Sequence, residues 1–441
     1  MNRERFAWIV SIILLAILAF KLPGTMAQRD DDLAWLKTLV QVHREVDDNY
    51  VDPVKDDELK TKAIQGMLSE LNDPFSVYIP PSNLENFNRQ IDGTFKGVGI
   101  SLDGRTKKVI VVTPIEGSPA DKAGIHAGDI IIKVDNQSID GLPIDEVSKK
   151  ILGPVGTPVT LTVTRDDKEM DFTMNRAQIV MPTVLGFERN ADDTWKYFVN
   201  DSPQIAYVRL TQFDENTFND FHGVLADKGG LIDQGMAGLI LDLRFNGGGR
   251  LEEAVHILNM FLKKDSVIVS TRGRNRPDEK RIATGEGALP DFPMIVLVND
   301  DSASASEIVS GSLQDNNRAE IIGQRTFGKG SVQELIPLDG GGELKLTVAH
   351  YFLPSGRLVQ RLPDAKEWGV EPQIIVPMDQ NAESNLSDAF ETRTIIRRTH
   401  PAAASTRPAT QPIDPQFDTA LRTMIGTMAL NKNGAPAATG P

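Results

Sequence analysis

Two short segments of this chain hold residue types that could do covalent chemistry. One is Ser302-Ala303-Ser304-Ala305-Ser306-Glu307, and the other, further along, is Phe327-Gly328-Lys329-Gly330. A hydroxyl is a weak nucleophile until a base takes its proton, and an amine can be that base once it is uncharged. The run before the serines, Met294-Ile295-Val296-Leu297-Val298, is short, apolar and β-branched, and predicts a buried strand. The run after them, Glu307 to Leu313, has apolar residues at helical spacing. The serines therefore sit at a strand-to-helix turn, where free backbone N–H groups and the helix dipole favour a developing anion. That is the logic of a nucleophile elbow, although the G-x-S-x-G pattern is absent.

None of the six histidines lies in a local motif that suggests a catalytic triad, so Lys329 is the better candidate base. Burial lowers a lysine pKa, flanking glycines let the backbone approach closely, and serine–lysine pairs are a known form of activated nucleophile. Plainer readings exist for each piece. The serines could be a helix N-cap and Gly328-Lys329-Gly330 an exposed loop. A phosphate-binding loop is excluded, because Gly330 stands where Ser or Thr would bind magnesium. A third element shifts the balance. Gly238-Leu239-Ile240-Leu241-Asp242-Leu243-Arg244-Phe245-Asn246-Gly247-Gly248-Gly249 reads as a buried strand running into a glycine-rich turn, whose N–H groups can hold an oxyanion.

In this order, the segments resemble the carboxyl-terminal processing proteases, also called tail-specific proteases, over roughly residues 40 to 377. Further anchors of the resemblance are Tyr207-Val208-Arg209-Leu210, Leu313-Gln314-Asp315, Val332-Gln333, Tyr351-Phe352 and Pro354-Ser355-Gly356-Arg357. The resemblance implies that Ser304 is the nucleophile, Lys329 the general base and Gln333 the residue that positions the lysine. It implies an oxyanion hole made by the N–H groups of Ala305 and a turn glycine, Gly248. Two departures stand out: Gly247 replaces a proline common in the family, and Asp300-Asp301 replace small residues. Those two carboxylates are expected to raise the lysine pKa. Ser302 and Ser306 are expected to be structural caps.

Residues 92–176 resemble a PDZ domain. Gly97-Val98-Gly99-Ile100 would be its carboxylate-binding loop and the start of its ligand-pairing strand, and Val147 and Ile151 would line the groove from a second helix. Such a groove works by β-augmentation: a peptide adds a strand to an open edge, and backbone N–H groups hold its terminal carboxylate. A β-rich domain that merely positions the protease is the alternative.

The whole chain sets outer limits. Its 441 residues call for more than one domain, and its net charge of −14 argues against nucleic acid as a partner. With no cysteine there are no disulfides and no thiol chemistry. Arg3 and Arg5 precede an apolar stretch from Phe6 to Phe20 and a small-residue site at Ala27, the layout of an export signal. Residues 6–20 are either cleaved with the signal or kept as an inner-membrane anchor, so the remainder is expected to be periplasmic or otherwise exported.

The expected organisation is α/β and multidomain. It comprises a signal or anchor at 1–27, a helical region at 28–91, the PDZ domain at 92–176, and a protease core at 177–377 with a sheet flanked by helices. A C-terminal linker, short helix and disordered tail follow at 378–441. In the last region Phe417, Leu421, Met424 and Met428 repeat at helical spacing, fitting either a docking or dimerisation helix or a loosely packed one. The expected function is an exported serine endopeptidase acting on proteins with accessible C-terminal tails. It needs no metal or other cofactor, and it works either as a homo-oligomer or with an adaptor. The rival from another class is a non-catalytic PDZ scaffold with an inactive protease core. A third reading, the same fold acting on a small acyl substrate, leaves the peptide-capture module without a purpose.

Overall fold

The computed structural model describes residues 34–84, 87, 94–104, 108–199, 204–396 and 414–432. The expected signal or anchor, the Pro- and Ala-rich stretch from 401 to 412 and the terminal tail lie outside these residues. The chain divides into two units, one up to Tyr78 and one from Ile79 onward.

The first unit carries helices α1 (Ala34–Asn49) and α2 (Asp56–Ser69). Three acidic residues, Asp56, Asp57 and Glu58, occupy the first turn of α2, where they complement the helix dipole. Trp35, Leu39 and Val42 fall on one stripe of α1 and are all exposed.

In the second unit the PDZ-like segment contains β1 (Thr94–Gly97), β2 (Ile100–Asp103), β3 (Val109–Pro114), α3 (Pro119–Ala123) and β4 (Ile130–Val134). It continues with α4 (Ile144–Ile151), β5 (Pro158–Arg165), β6 (Lys168–Asn175) and β7 (Ala177–Val180). Strands β2 to β6 form an antiparallel sheet in sequence order with β2 at its edge, while β1 pairs with β7. The alternating residues Val159, Leu161 and Val163 of β5 supply the core, together with Val111, Ile125 and Val147. Arg165 closes the domain with a bidentate pair to the buried carboxylate of Asp129.

The remainder is built on a sheet of β8 (Val184–Leu185), β9 (Ile205–Leu210), β10 (Gly238–Asp242), β13 (Met294–Val298), β14 (Glu320–Gly323) and β17 (Ile374–Ile375), in that order. The intervening elements are α5 (Thr217–Ala226), α6 (Leu251–Phe261), β11 (Val267–Gly273), β12 (Arg276–Ile282), α7 (Ala305–Asp315), β15 (Ser331–Pro337) and β16 (Glu343–Phe352). All pairings in the main sheet are parallel except that of β8 with β9. Residues 238–242 and 294–298 are buried throughout, as expected for parallel strands covered on both faces. One face packs on α5, α6 and α7. A second, antiparallel sheet joins β16, β11 and β12 in that order, with β15 on the other side of β16.

Two further helices, α8 (Gln380–Thr394) and α9 (Pro415–Lys432), complete the chain. The sequence pattern did not single out α8. Helix α9 corrects both expectations for the C-terminus: it is neither loose nor a free docking element. Its Ala420, Met424 and Met428 are buried against Ile205, Tyr207, Ile240 and Leu297 on the other face of the main sheet. Met424→Ala is therefore expected to cost about 2–5 kcal/mol, read as a lower urea midpoint, because it opens a cavity on the sheet.

Candidate active site

The carboxyl ends of three neighbouring parallel strands lead into the three segments singled out above. Strand β10 runs into residues 243–249, β13 into 299–304, and β14 into 324–330. Sites in α/β sheets form at this edge, because the connecting chains diverge there and leave a crevice.

Buried polar side chains hold the first two segments together. Ser302 Oγ donates to Leu243 O at 2.9 Å and Ser306 Oγ to Asn246 O at 2.8 Å. The expected caps are thus ties between turns. The Ala303 N–H also donates to Asn246 O, and Asn246 Nδ2 donates to Leu210 O. Asn299 Oδ1 accepts from the N–H of Phe245. Behind this turn, the fully buried Arg244 donates to Asp242, to Asp414 at 2.8 and 2.9 Å, and to Gln416. Tyr207 Oη completes the cluster by donating to Asp242 at 2.7 Å.

Ser304 sits between β13 and α7 with φ 54° and ψ −113°. An L-residue reaches that conformation at a cost of about 1–3 kcal/mol, which surrounding contacts must offset. The Ser304 side chain lines a cavity at this edge of the sheet. Gly248 (φ 99°) lies so close that a Cβ there would stand 2.8 Å from Ser304 Cβ and 2.9 Å from Ala305 N. Only glycine fits. The Gly248 N–H donates to Asn246 Oδ1 at 2.9 Å, so in this conformation it closes its own turn. Ala305 opens the helix beside it, where first-turn N–H groups lack helical acceptors.

Glu307 joins the serine turn to the lysine loop. Its Oε2 accepts from the N–H of Ser304 and the N–H of Lys329, both at 2.8 Å. Its Oε1 accepts from Thr326 Oγ1 at 2.6 Å and the Gly328 N–H at 2.7 Å. Burial pushes this carboxyl up, and the four donated hydrogen bonds pull it part of the way back. Across the loop, Arg361 N donates to Gly328 O and Tyr351 N to Gly330 O. A Cβ on Gly328 (φ 91°) would meet Trp368 at 2.6 Å.

Ser304, Lys329, Gln333, Gly248 and Lys345 all line one cavity of about 810 Å³. None of the described histidines lines it. The Lys329 ammonium is held below the ordinary lysine range, first by burial and then by the Lys345 charge, with Glu307 opposing. Asp300 and Asp301, expected to push this lysine up, act elsewhere: after burial, the Asp300 charge helps raise Glu383 of α8. Gln333 Nε2 donates to Ser331 Oγ at 2.7 Å and Thr347 Oγ1 at 3.3 Å, which fixes the amide in the cavity wall. A hydroxyl and an amine of lowered basicity beside first-turn N–H groups can carry out acyl transfer.

The PDZ-like residues form a separate set. Val98, Val147 and Ile151 are packed in that domain's core and closed to solvent, while Ile100 on edge strand β2 is half-buried. A Cβ on Gly104 would meet Ile144 of α4 at 2.8 Å, and one on Gly97, at the end of β1, would meet Leu152, just past α4, at 3.1 Å, so the chain flanking β2 leaves no room for a side chain at either glycine. The Gly99 carbonyl accepts from Ser118 Oγ.

Glu307, Asn246, Arg244 and Lys345 were not assigned roles from sequence. Ser304 and Glu307 do carry the S-x-x-E spacing of a capping box, the one local signal that could have found the brace.

The parallel sheet and the strained serine define a serine hydrolase of the α/β type. Residues 204–376 match the model of peptidase family S41, 110–165 that of a PDZ domain, and 21–81 that of the activating protease CtpB N-terminal domain. The chain is 41% identical over 331 residues to a carboxy-terminal-processing protease of Bartonella bacilliformis, covering 74% of this chain and 71% of that protein. It is 32% identical to carboxy-terminal processing protease CtpB of Bacillus subtilis, over 75% of this chain and 65% of that one. A solved photosystem II D1 C-terminal processing protease aligns at 29% identity with a TM-score of 0.45, over 77% of this chain and 88% of that chain. The chain belongs to the S41 family of carboxy-terminal processing proteases and is a serine-type endopeptidase.

Replacing Glu307 by Gln puts an NH2 group where two donors already point. A folded Glu307→Gln protein is expected to lose about 100-fold in turnover, because the serine and lysine are no longer held in register. It should also lose about 1–3 kcal/mol of stability in urea melts, from the donors left unpaired.

Proposed function

We propose that this protein is an exported endopeptidase that cleaves proteins at or near their C-terminal tails with Ser304 as nucleophile and Lys329 as general base. The single observation that carries the reading is the Glu307 carboxylate, which accepts from the backbone N–H groups of both residues. Ser304 attacks the scissile carbonyl and its proton passes to the Lys329 amine. The tetrahedral oxyanion is held by the Ala305 N–H and a glycine N–H of the 247–249 turn. Lys329 then gives its proton to the leaving amine, and water releases the acyl group. Gln333 contributes by orienting the amine without adding charge. A scaffold with an inactive core would have no use for a strained serine beside a lysine of lowered basicity.

The names of the relatives support tail cleavage, and the PDZ match supports capture of the tail on the open edge of β2. Export rests on the signal-like layout of residues 1–27. Among the described residues, no helix is long and apolar enough to cross a membrane. The exposed stripe of Trp35, Leu39 and Val42 is the surface for a second copy or an adaptor.

The decisive variants act on the base. Lys329→Arg keeps the charge but cannot lose its proton at working pH, so hydrolysis is expected to fall to the Ser304→Ala background. Gln333→Ala should retain measurable turnover, since only alignment is lost. Because the Lys329 pKa is lowered, the amine gains its neutral form at lower pH than an exposed lysine would. The rate of casein hydrolysis should rise with pH along that limb and fall as pH drops below it. Near-native turnover in a folded Lys329→Arg protein would sink the assignment.

Tail capture has its own check. In an inactive Ser304→Ala background, a peptide with a free apolar C-terminus should bind, and Ile100→Lys should weaken that binding about tenfold or more. Amidation of the peptide should have the same effect. Equal binding by all three combinations would remove the PDZ domain from substrate selection.

A further inference from the structure

Lys345 lines the same cavity as Ser304, Lys329 and Gln333, on a strand that the reaction as described does not use. In the pairing of β15 with β16, Thr347 stands opposite Gln333 and Lys345 opposite Leu335. Thr347 accepts from Gln333 Nε2, so these two side chains share one face of the pair. Alternation along a strand puts Lys345 on that same face, about 6.7 Å from Thr347. The ammonium lies 5.8 Å from the centroid of the Phe87 ring, within range of a cation–π contact that holds it without neutralising it.

The other charges around the cavity are largely matched. Arg250 stands 3.7 Å from Glu215, Arg281 stands 3.8 Å from Glu252, and Arg276 is bonded to Glu334. Glu279 is exposed on β12, and Tyr351 is pushed up to about 12 by burial and stays neutral. Glu307 contributes its negative charge from α7. Among the described residues, Lys345 forms no ion pair with a carboxylate.

We propose that Lys345 is a positioning residue of the reaction: its ammonium, held on the cavity face of β16, keeps the Lys329 amine in the uncharged state that accepts the Ser304 proton. Two like charges in one cavity cannot both be held cheaply, and burial already disfavours the charge on Lys329. This offsets Glu307, whose brace fixes the lysine loop but whose charge favours the ammonium. The direction agrees: after burial, the Lys345 charge is the next cause lowering Lys329. The inference rests on Lys329 being the base.

The test is the pH dependence of kcat/KM for fluorescein-labelled casein, measured on full-length wild type, Lys345→Met, Lys345→Arg and Lys329→Met. Lys345→Met should move the rising limb to higher pH and lower kcat/KM at pH 7 several-fold, with the high-pH plateau retained. Lys345→Arg, which restores a cation, should return the limb to its wild-type position. Lys329→Met should be inactive at every pH. A lowered plateau or raised KM with an unmoved limb in Lys345→Met would overturn the proposal, as would failure of Lys345→Arg to restore it. An active Lys329→Met protein would instead overturn the choice of base, a separate result from either.

Discussion

One carboxylate organises this active site. Glu307 accepts four hydrogen bonds, and two of its donors are the backbone N–H groups of Ser304 and Lys329. Main-chain anchoring fixes where each side chain begins. A buried carboxylate is costly unless fully satisfied, so the arrangement has little tolerance: four donors aimed at one group require it to be an acceptor throughout. The same charge opposes a neutral lysine. Burial and the Lys345 cation must outweigh it, and the net lowering of the Lys329 pKa indicates that they do.

The rest of the fold holds the parts that Glu307 joins. Three parallel strands deliver the turns to one edge of the sheet, and Ser302, Ser306 and Asn246 tie the serine turn to the glycine turn. Arg244, clasped by Asp242 and Asp414, anchors the strand end just before that turn. The C-terminal segment, outside the stretch matched by the peptidase family model, thereby supports the site from behind. Without it Ile205, Tyr207, Ile240 and Leu297 would lose their cover of Ala420, Met424 and Met428, and Arg244 would keep only Asp242 as a charged partner.

What could be read in the sequence follows the range of the interactions. The strand of 294–298 and the helix after it were legible because their apolar spacing is local. Ser304, Lys329 and Gln333 were singled out by their order along the chain, and the structure places them on one cavity. Asp300 and Asp301 misled, because sequence closeness to Ser304 says nothing about which way they face; they stand with Glu383 of a helix some eighty residues on. The clasp of Asp414 on Arg244 spans 170 positions and has no local signature. Val147 and Ile151 sat at groove-like spacing, yet the same spacing serves a buried helix face, and in this conformation they are core.

The central claim is that Lys329 is a neutral amine when the enzyme works. Its titration can be observed directly in full-length protein carrying 13Cε-labelled lysine, with the Lys329 signal assigned by its loss in Lys329→Arg. The expected result is a transition clearly below the value of about 10.4 for an unperturbed lysine side chain. A Lys329 signal that titrates together with the exposed lysines would contradict the account.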